Sequence, residues 1–229
     1  MAFVHLHTHT EYSLLDGSNK ITEYVARVKE LGMNAAAITD HGVMYGVIDF
    51  YKECKKQGIR PILGCEVYVT PGSRFDRELS HGEDRYYHLV LLAENNTGYQ
   101  NLIKIVSAGF VDGYYYKPRV DMEILQQYHE GIIALSACLA GEVPRFLQRG
   151  MYDEAKEIAL KHQELFGKNN YFLELQSHGI DAQELVNQQL VRMSKETGIG
   201  LVCTTIFIIP MRKMRHHMMS SCAFRRVRS

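Results

Sequence analysis

Short apolar runs recur along the chain, separated by stretches in which apolar residues fall at helical spacing. FVHLHTH (3–9), NAAAITD (34–40), RPILGCEVYV (60–69), YYHLVLLAEN (86–95), GIIALSA (131–137), YFLELQ (171–176) and GLVCT (200–204) read as strands. Between them, ITEYVARVKELG (21–32) carries Ile21, Val25, Val28 and Leu31 on one helical face, and VIDFYKECKKQG (47–58) is a helix closed by Gly58. TGYQNLIKIVSAGF (97–110) predicts a helix capped by Asn96 or Thr97, and DMEILQQYHEG (121–131) a short one. MYDEAKEIALKHQELFG (151–167), whose mixed charges read as a solvated face, and AQELVNQQLVRMSKETG (182–198) are two more.

Seven strands alternating with helices predict a parallel sheet with helices outside it, either open and doubly wound or closed as a barrel. In both, sites form at the carboxyl ends of the strands. TPGSRFDRELSHGEDR (70–85) is the one long polar loop and reads as a lid. There is no internal repeat and no low-complexity linker.

Composition narrows the picture. Acidic and basic residues are equal in number, 26 each, so no overall field draws the chain to nucleic acid and any DNA contact must be local. Apolar runs fall well short of the ~20 residues of a membrane span, and no secretory signal opens the chain. The five cysteines, Cys54, Cys65, Cys138, Cys203 and Cys222, are odd in number, scattered and without a CxxC pair, which suits reduced thiols in the cytoplasm.

The candidate chemistry gathers at strand ends. His5, His7 and His9 alternate in the first strand, so a period of two places their rings on one face. Asp16 follows in the next loop, and Asp40 and His41 end the second strand. Glu66 lies in the third strand, His88 in the fourth, and Cys138 at the end of the fifth. Singly, each has an ordinary structural reading: a satisfied core histidine, a small buried thiol, a solvated turn acid. Together they converge on one rim, where an empty cluster would bury several polar groups without partners. Imidazoles, carboxylates and a thiol favour zinc, manganese or iron over calcium. Their number exceeds one tetrahedral site and predicts two or three divalent ions sharing a carboxylate, an arrangement suited to phosphoester hydrolysis.

HLHTHTEYSLLDG, ITDHG, GCEVYV, YYHLVLLAEN, GYYYKPR and LSACLAGE resemble the polymerase and histidinol phosphatase (PHP) domain family. The likeness is to the form at the N-terminus of the bacterial replicative DNA polymerase III alpha subunit, over residues 2 to about 204. The resemblance implies a distorted seven-stranded β/α (TIM-like) barrel, with metal ligands His7, His9, Asp16, His41, Glu66, His88 and Cys138. His7, His9 and Glu66 would be the catalytic metal-site residues, Glu66 as the bridge; His5 has a ligand or a structural reading. The family context implies DNA and replisome subunits, a proofreading exonuclease among them, as partners, and no membrane. DGYYYKPR (112–119) reads either as a loop stacking bases and meeting phosphate, or as one anchored by aromatic packing.

The family pattern also requires Asn-Asp-x-His after the last strand, and here Ile206 and Ile208 occupy the ligand positions. From residue 205 acids vanish and Arg, Met and Ser accumulate without periodicity. One base inserted before the codon of Thr205, with free synonymous choice, turns TIFIIP into Asn-Asp-Ile-His-Tyr-Thr and continues in family-like text. The expectation is a PHP domain over 1–204 and an out-of-frame, disordered tail over 205–229, the rival being a genuine basic tail. A barrel without its closing elements predicts poor solubility. Three functions compete: a metal-dependent phosphoesterase, such as a 3′–5′ proofreading exonuclease; an inactive module that docks the exonuclease subunit; and a free-standing phosphatase. No polymerase activity is expected of the chain as written.

Overall fold

The computed structural model describes residues 3–14, 17–78 and 84–204. Asp16, Cys222, Ile206, Ile208 and the rest of the tail lie outside them. In chain order the elements are α1 (Ile21–Glu30), β1 (Ala35–Ile38), α2 (Val47–Gln57), β2 (Arg60–Val69), β3 (Tyr87–Ala93) and α3 (Asn96–Val111). Then come β4 (Tyr114–Tyr115), β5 (Lys117–Val120), α4 (Met122–Tyr128), β6 (Ile132–Leu135), α5 (Glu142–Gln148), α6 (Tyr152–Phe166), β7 (Tyr171–Gln176), α7 (Asp181–Thr197) and β8 (Gly200–Thr204).

The helices follow the periodicity. α1 buries Ile21, Tyr24, Val25 and Val28 at i, i+3, i+4 and i+7. α2 ends at Gly58, whose φ of 76° suits a glycine. α3 is capped one residue earlier than the sequence predicts: the Asn95 side chain accepts from the Gly98 backbone N–H at 3.0 Å. The sequence reading misses α5 and the short β4 and β5.

The sheet runs β4-β5-β2-β3-β6-β7-β8, with β1 paired to β2. Its topology corrects the all-parallel expectation. β1–β2, β2–β5, β6–β7 and β7–β8 are parallel, but β3 is antiparallel to both β2 and β6. The cause is local: no helix lies among the described residues between β2 and β3 to make a crossover, so the chain returns antiparallel. Reversal brings the first residues of β3 to the edge where the neighbouring strands end, and that is where His88 sits.

The first predicted strand is also corrected. Residues 3–9 form no strand: the chain bends at His7 and makes only a single bridge at Thr8. His5 O accepts from Ala37 N and Thr8 O from Thr39 N, so three residues on this segment answer two on β1. The extra residue breaks the alternation, and His5 does not share the face of His7 and His9.

The sheet curls into a half-barrel with helices outside. Cys65, Val67, Val69, Leu89, Leu91, Leu173 and Leu175 face the helical layer, and α1 and α2 cover Ala36 and Ile38 of β1. Each fully buried aliphatic side chain contributes about 1.5–3 kcal/mol. The opposite faces form an inner cluster of Ala37, Val90, Leu92 and Leu135, against which Leu6, Ile62, Ile133, Phe172 and Val202 pack. Above this floor the inward positions turn polar: Glu66 on β2, His88 on β3, and Glu174 and Gln176 on β7.

The polar loop is no free lid over its first half. Arg74 is buried against Asp121, its Nη1 3.0 Å from Oδ1, and Arg119 Nη2 donates to the carbonyls of Arg74 and Asp76. Residues 79–83 lie outside the described part.

Candidate metal centre

Glu66 stands at the centre of four imidazoles. It is fully buried on the inward face of β2. Its Oε1 lies 3.3 Å from His7 Nε2 and 2.9 Å from His88 Nδ1. Its Oε2 lies 3.5 Å from His9 Nε2 and 2.5 Å from His41 Nδ1. Cys138 Sγ is 4.0 Å from Glu66 Oε1 and 3.8 Å from His88 Nδ1. Six of the seven predicted ligands therefore meet at one point, the seventh, Asp16, lying outside the described residues.

Each arrives by a separate device. His7 and His9 are carried by the N-terminal segment, which Asp40 clamps. Asp40 Oδ1 accepts from Thr10 N at 2.6 Å and Ser13 Oγ at 2.9 Å, and its Oδ2 from Thr10 Oγ1 at 2.8 Å. Asp40 is thus a structural clamp rather than a donor to the cluster. His41 follows β1 and pairs with Glu66 as a single parallel bridge. His88 is the second residue of β3, opposite Tyr68 of β2, and its backbone N–H donates to Ala140 O, which ties it to the Cys138 loop.

The fit to metal can be read from the donors. Among the described residues, two groups have donor atoms within 4.8 Å of one another: His7, His9 and Glu66, and His41, Glu66 and His88. Glu66 belongs to both. His7 Nε2 and Glu66 Oε2 are buried and, though close to the cluster, lie in line with no hydrogen-bond partner. Such orphaned atoms at the centre of a buried nitrogen and oxygen set match a transition-metal site.

The local electrostatics are those of a crowded charge cluster. Burial opposes a charged His7, but the flanking Glu174 and Glu66 carboxylates outweigh it and raise its pKa to about 10. His9, in the same pocket, is pushed below its ordinary value by burial. Burial opposes ionised Glu66, yet His88, His7 and His41 hold it well below the usual carboxylate range. Burial also raises the Cys138 thiol, so its thiolate needs a cation beside it.

A wall of aromatic and cationic side chains borders the cluster. The Tyr68 ring lies 6.2 Å from His41 and 5.3 Å from His88, and Tyr86 stacks on His88 at 6.2 Å. Lys117 Nζ sits 5.3 Å above Tyr68, and Arg85 5.1 Å over Tyr116. Exposed Tyr45, on the loop after His41, leads through Phe110 to Tyr114 with centroids 6.4 and 6.1 Å apart. Arg119 takes no part: it is buried and donates to the carbonyls of Gly113, Arg74 and Asp76. Tyr115 packs between Arg77 and Arg119. The tyrosine loop thus divides, one part anchoring the fold and the other lining the mouth.

The sequence reading missed Glu174 and Gln176, both buried beside His7. The available signal was the alternation of YFLELQ, which puts Phe172, Glu174 and Gln176 on the face opposite the apolar Tyr171, Leu173 and Leu175. His5 is buried apart from the cluster, its ring edge-to-face with Phe3 at 4.9 Å. The described cysteines are all free thiols, and no helix among the described residues is long and apolar enough to cross a membrane.

Sequence and fold place the chain among known proteins. The chain is 50% identical over 204 residues to the DNA polymerase III subunit alpha of Treponema pallidum, covering 89% of this chain and 17% of that protein. The corresponding subunit of Thermus aquaticus is 43% identical over 207 residues, with 89% and 17% covered. The chain thus spans about one-sixth of the length of these relatives. Among solved structures, an amidohydrolase from Chromobacterium violaceum with bound sulfate and no metal superposes with a TM-score of 0.58 at 16% identity, covering 94% of this chain and 90% of its own. A "putative metal-dependent phosphoesterase" of Bifidobacterium adolescentis gives 0.55 at 13% identity, with 93% and 90% covered. These two share the fold. The PHP domain model matches residues 5–178, a span that holds all four imidazoles around Glu66, and the chain belongs to the PHP domain family.

Proposed function

We propose that the chain carries a metal-dependent phosphoesterase site acting on nucleic-acid phosphodiesters, in the manner of a 3′–5′ exonuclease, within the N-terminal region of a bacterial DNA polymerase III alpha subunit. The observation that carries this reading is the membership of Glu66 in both donor groups. His7, His9 and Glu66 would hold one ion. His41, His88 and Glu66 would hold its neighbour, with Cys138 beside them and Asp16 completing the set. Nitrogen donors with a thiol favour zinc, manganese or iron.

Bound there, the ions would supply Lewis acidity toward phosphoryl oxygens and an activated water. The chain's own residues do the rest. Glu66 keeps two donor groups in register from a rigid strand, and Asp40 holds the two N-terminal imidazoles against it. Lys117 is placed to meet a phosphate, and Tyr68 and Tyr86 to pack against a sugar or base. The relatives support a DNA and replication context; within this reading a proofreading exonuclease subunit and the rest of the polymerase would be the partners, in the cytoplasm. Residues 1–204 would form the domain, and 205–229 an out-of-frame tail.

A second reading, a docking module without catalysis, is favoured by one observation: Ile206 and Ile208 stand where the family pattern has an acid and a histidine. The test is release of nucleotides from a 3′-labelled single-stranded oligonucleotide with manganese or zinc, beside Glu66→Gln. Cleavage by the parent and none by the variant supports the phosphoesterase. Metal binding without cleavage by either supports the docking module.

A further inference from the structure

We infer that Glu174 is a positioning residue that sets the tautomer and aim of His7, an inference that rests on the metal-dependent reading above. The His7 ring is completely buried, and each of its nitrogens faces a carboxylate. Nε2 faces Glu66 Oε1 at 3.3 Å, and Nδ1 faces Glu174 Oε1 at 2.8 Å. The two carboxylates differ in company. Glu66 is shared with three other imidazoles, whereas Glu174 is in neither donor group.

Glu174 is itself immobilised from three sides. Gln176 Nε2 donates to its Oε1 at 2.8 Å, Thr204 Oγ1 donates to the same oxygen, and its own backbone N–H donates to Ser136 Oγ at 2.8 Å. Gln176 is tied in turn to α7, since Asn187 Nδ2 donates to its carbonyl at 2.7 Å. These contacts come from β7, β8, the end of β6 and α7, so the carboxylate is a fixed point of the half-barrel.

Once a cation displaces one proton from His7, the neutral imidazole has one N–H and one lone pair. A carboxylate accepts and does not donate, so it places the N–H on Nδ1 and leaves the lone pair on Nε2. That lone pair then points at the Glu66 side, where a cation would sit. His7 rides on a segment that forms no strand, so backbone hydrogen bonds alone do not fix its ring. The carboxylate–histidine pair supplies that constraint. Thr204 precedes the point where the sequence departs from the family, so the clamp is intact in this chain.

The rival role for Glu174 is a direct ligand, since its Oε2 is buried without a hydrogen-bond partner. The test compares the parent chain with Glu174→Gln by zinc competition against a chromogenic chelator, metal counting, and 15N NMR of the histidine rings. The expected result is a zinc affinity about 10–100-fold weaker at the same number of ions per chain, with His7 passing from the Nδ1–H form to a mixture. Unchanged affinity and an unchanged His7 signal overturn the proposal. So does loss of one bound ion with the tautomer intact, which would make Glu174 a ligand. If Glu174→Gln does not fold, Gln176→Leu carries the test: weaker zinc binding supports the proposal and parent affinity overturns it. Failure of the parent to bind zinc at all refutes the metal reading itself, a result distinct from the others.

Discussion

His88 stands directly opposite Tyr68 in the β2–β3 register, two residues along β2 from Glu66 and on the same inward face. The pairing exists because β3 runs against its neighbours. A parallel strand would have carried His88, its second residue, to the far end of the sheet, away from Glu66. The reversed strand delivers it 2.9 Å from the carboxylate.

Replacing Glu66 by Gln removes the one group common to both donor sets. Outer partners of metal ligands alone are worth about 10–100-fold in affinity, so a shared ligand is worth more. Isothermal titration with zinc or manganese should show binding weakened beyond about 100-fold. Metal at about 100 times its dissociation constant should stabilise the parent by about 2.7 kcal/mol, a gain the variant lacks in thermal melts and chelator reverses in the parent.

Asp40→Asn tests the clamp on the N-terminal segment. One carboxylate oxygen that accepts from Thr10 and Ser13 becomes an amide with the wrong polarity, at a cost of about 2–3 kcal/mol. Urea unfolding should register that loss, and zinc binding should weaken with it, because His7 and His9 ride on the released segment.

His162 makes stability depend on pH independently of the metal cluster. It is buried between α6 and β7, 5.3 Å from the Tyr171 ring and 3.9 Å from Glu142 Oε2, and burial lowers its pKa from 6.5 to about 4. A histidine whose folded pKa is depressed favours unfolding when protonated. Its contribution is therefore complete above the unfolded value and is lost as pH falls toward the folded one. The full window is worth roughly 3 kcal/mol. His162→Gln should lose about 2 kcal/mol less than the parent between about pH 7.5 and pH 5, measured by urea unfolding at both values.

The tail yields a gain-of-function test. Ile206→Asp with Ile208→His restores the two residue types that the family pattern places after the last strand. If residues 205–229 are out-of-frame text on an otherwise intact domain, the double variant should bind more metal per chain than the parent, by elemental analysis of dialysed protein. An unchanged count would favour a tail with its own role.

Much of this architecture is legible in the sequence. Helical spacing locates α1, α2, α3, α6 and α7, and the strand-end rule groups His7, His9, His41, Glu66 and Cys138. What escapes is what depends on neighbours distant in sequence. Nothing in YHLVLLA shows that its strand runs backwards, since an alternating or apolar run reads the same in either direction. The spacing of His5, His7 and His9 suggests one face, but the extra residue between His5 and Thr8 appears only when the segment is laid beside β1. Asp40 looks like a ligand until its oxygens are found on Thr10 and Ser13. Glu174 carries no mark of a site residue until its strand is folded against His7. Arg119 looks like a phosphate contact until it is seen buried among backbone carbonyls.

The most direct test of the central claim is anomalous X-ray scattering from crystals of the chain grown with zinc, recorded on both sides of the zinc edge. Peaks are expected on either side of the Glu66 carboxylate, one against His7 and His9 and one against His41 and His88. No peak within bonding distance of Glu66 at saturating zinc would contradict the claim.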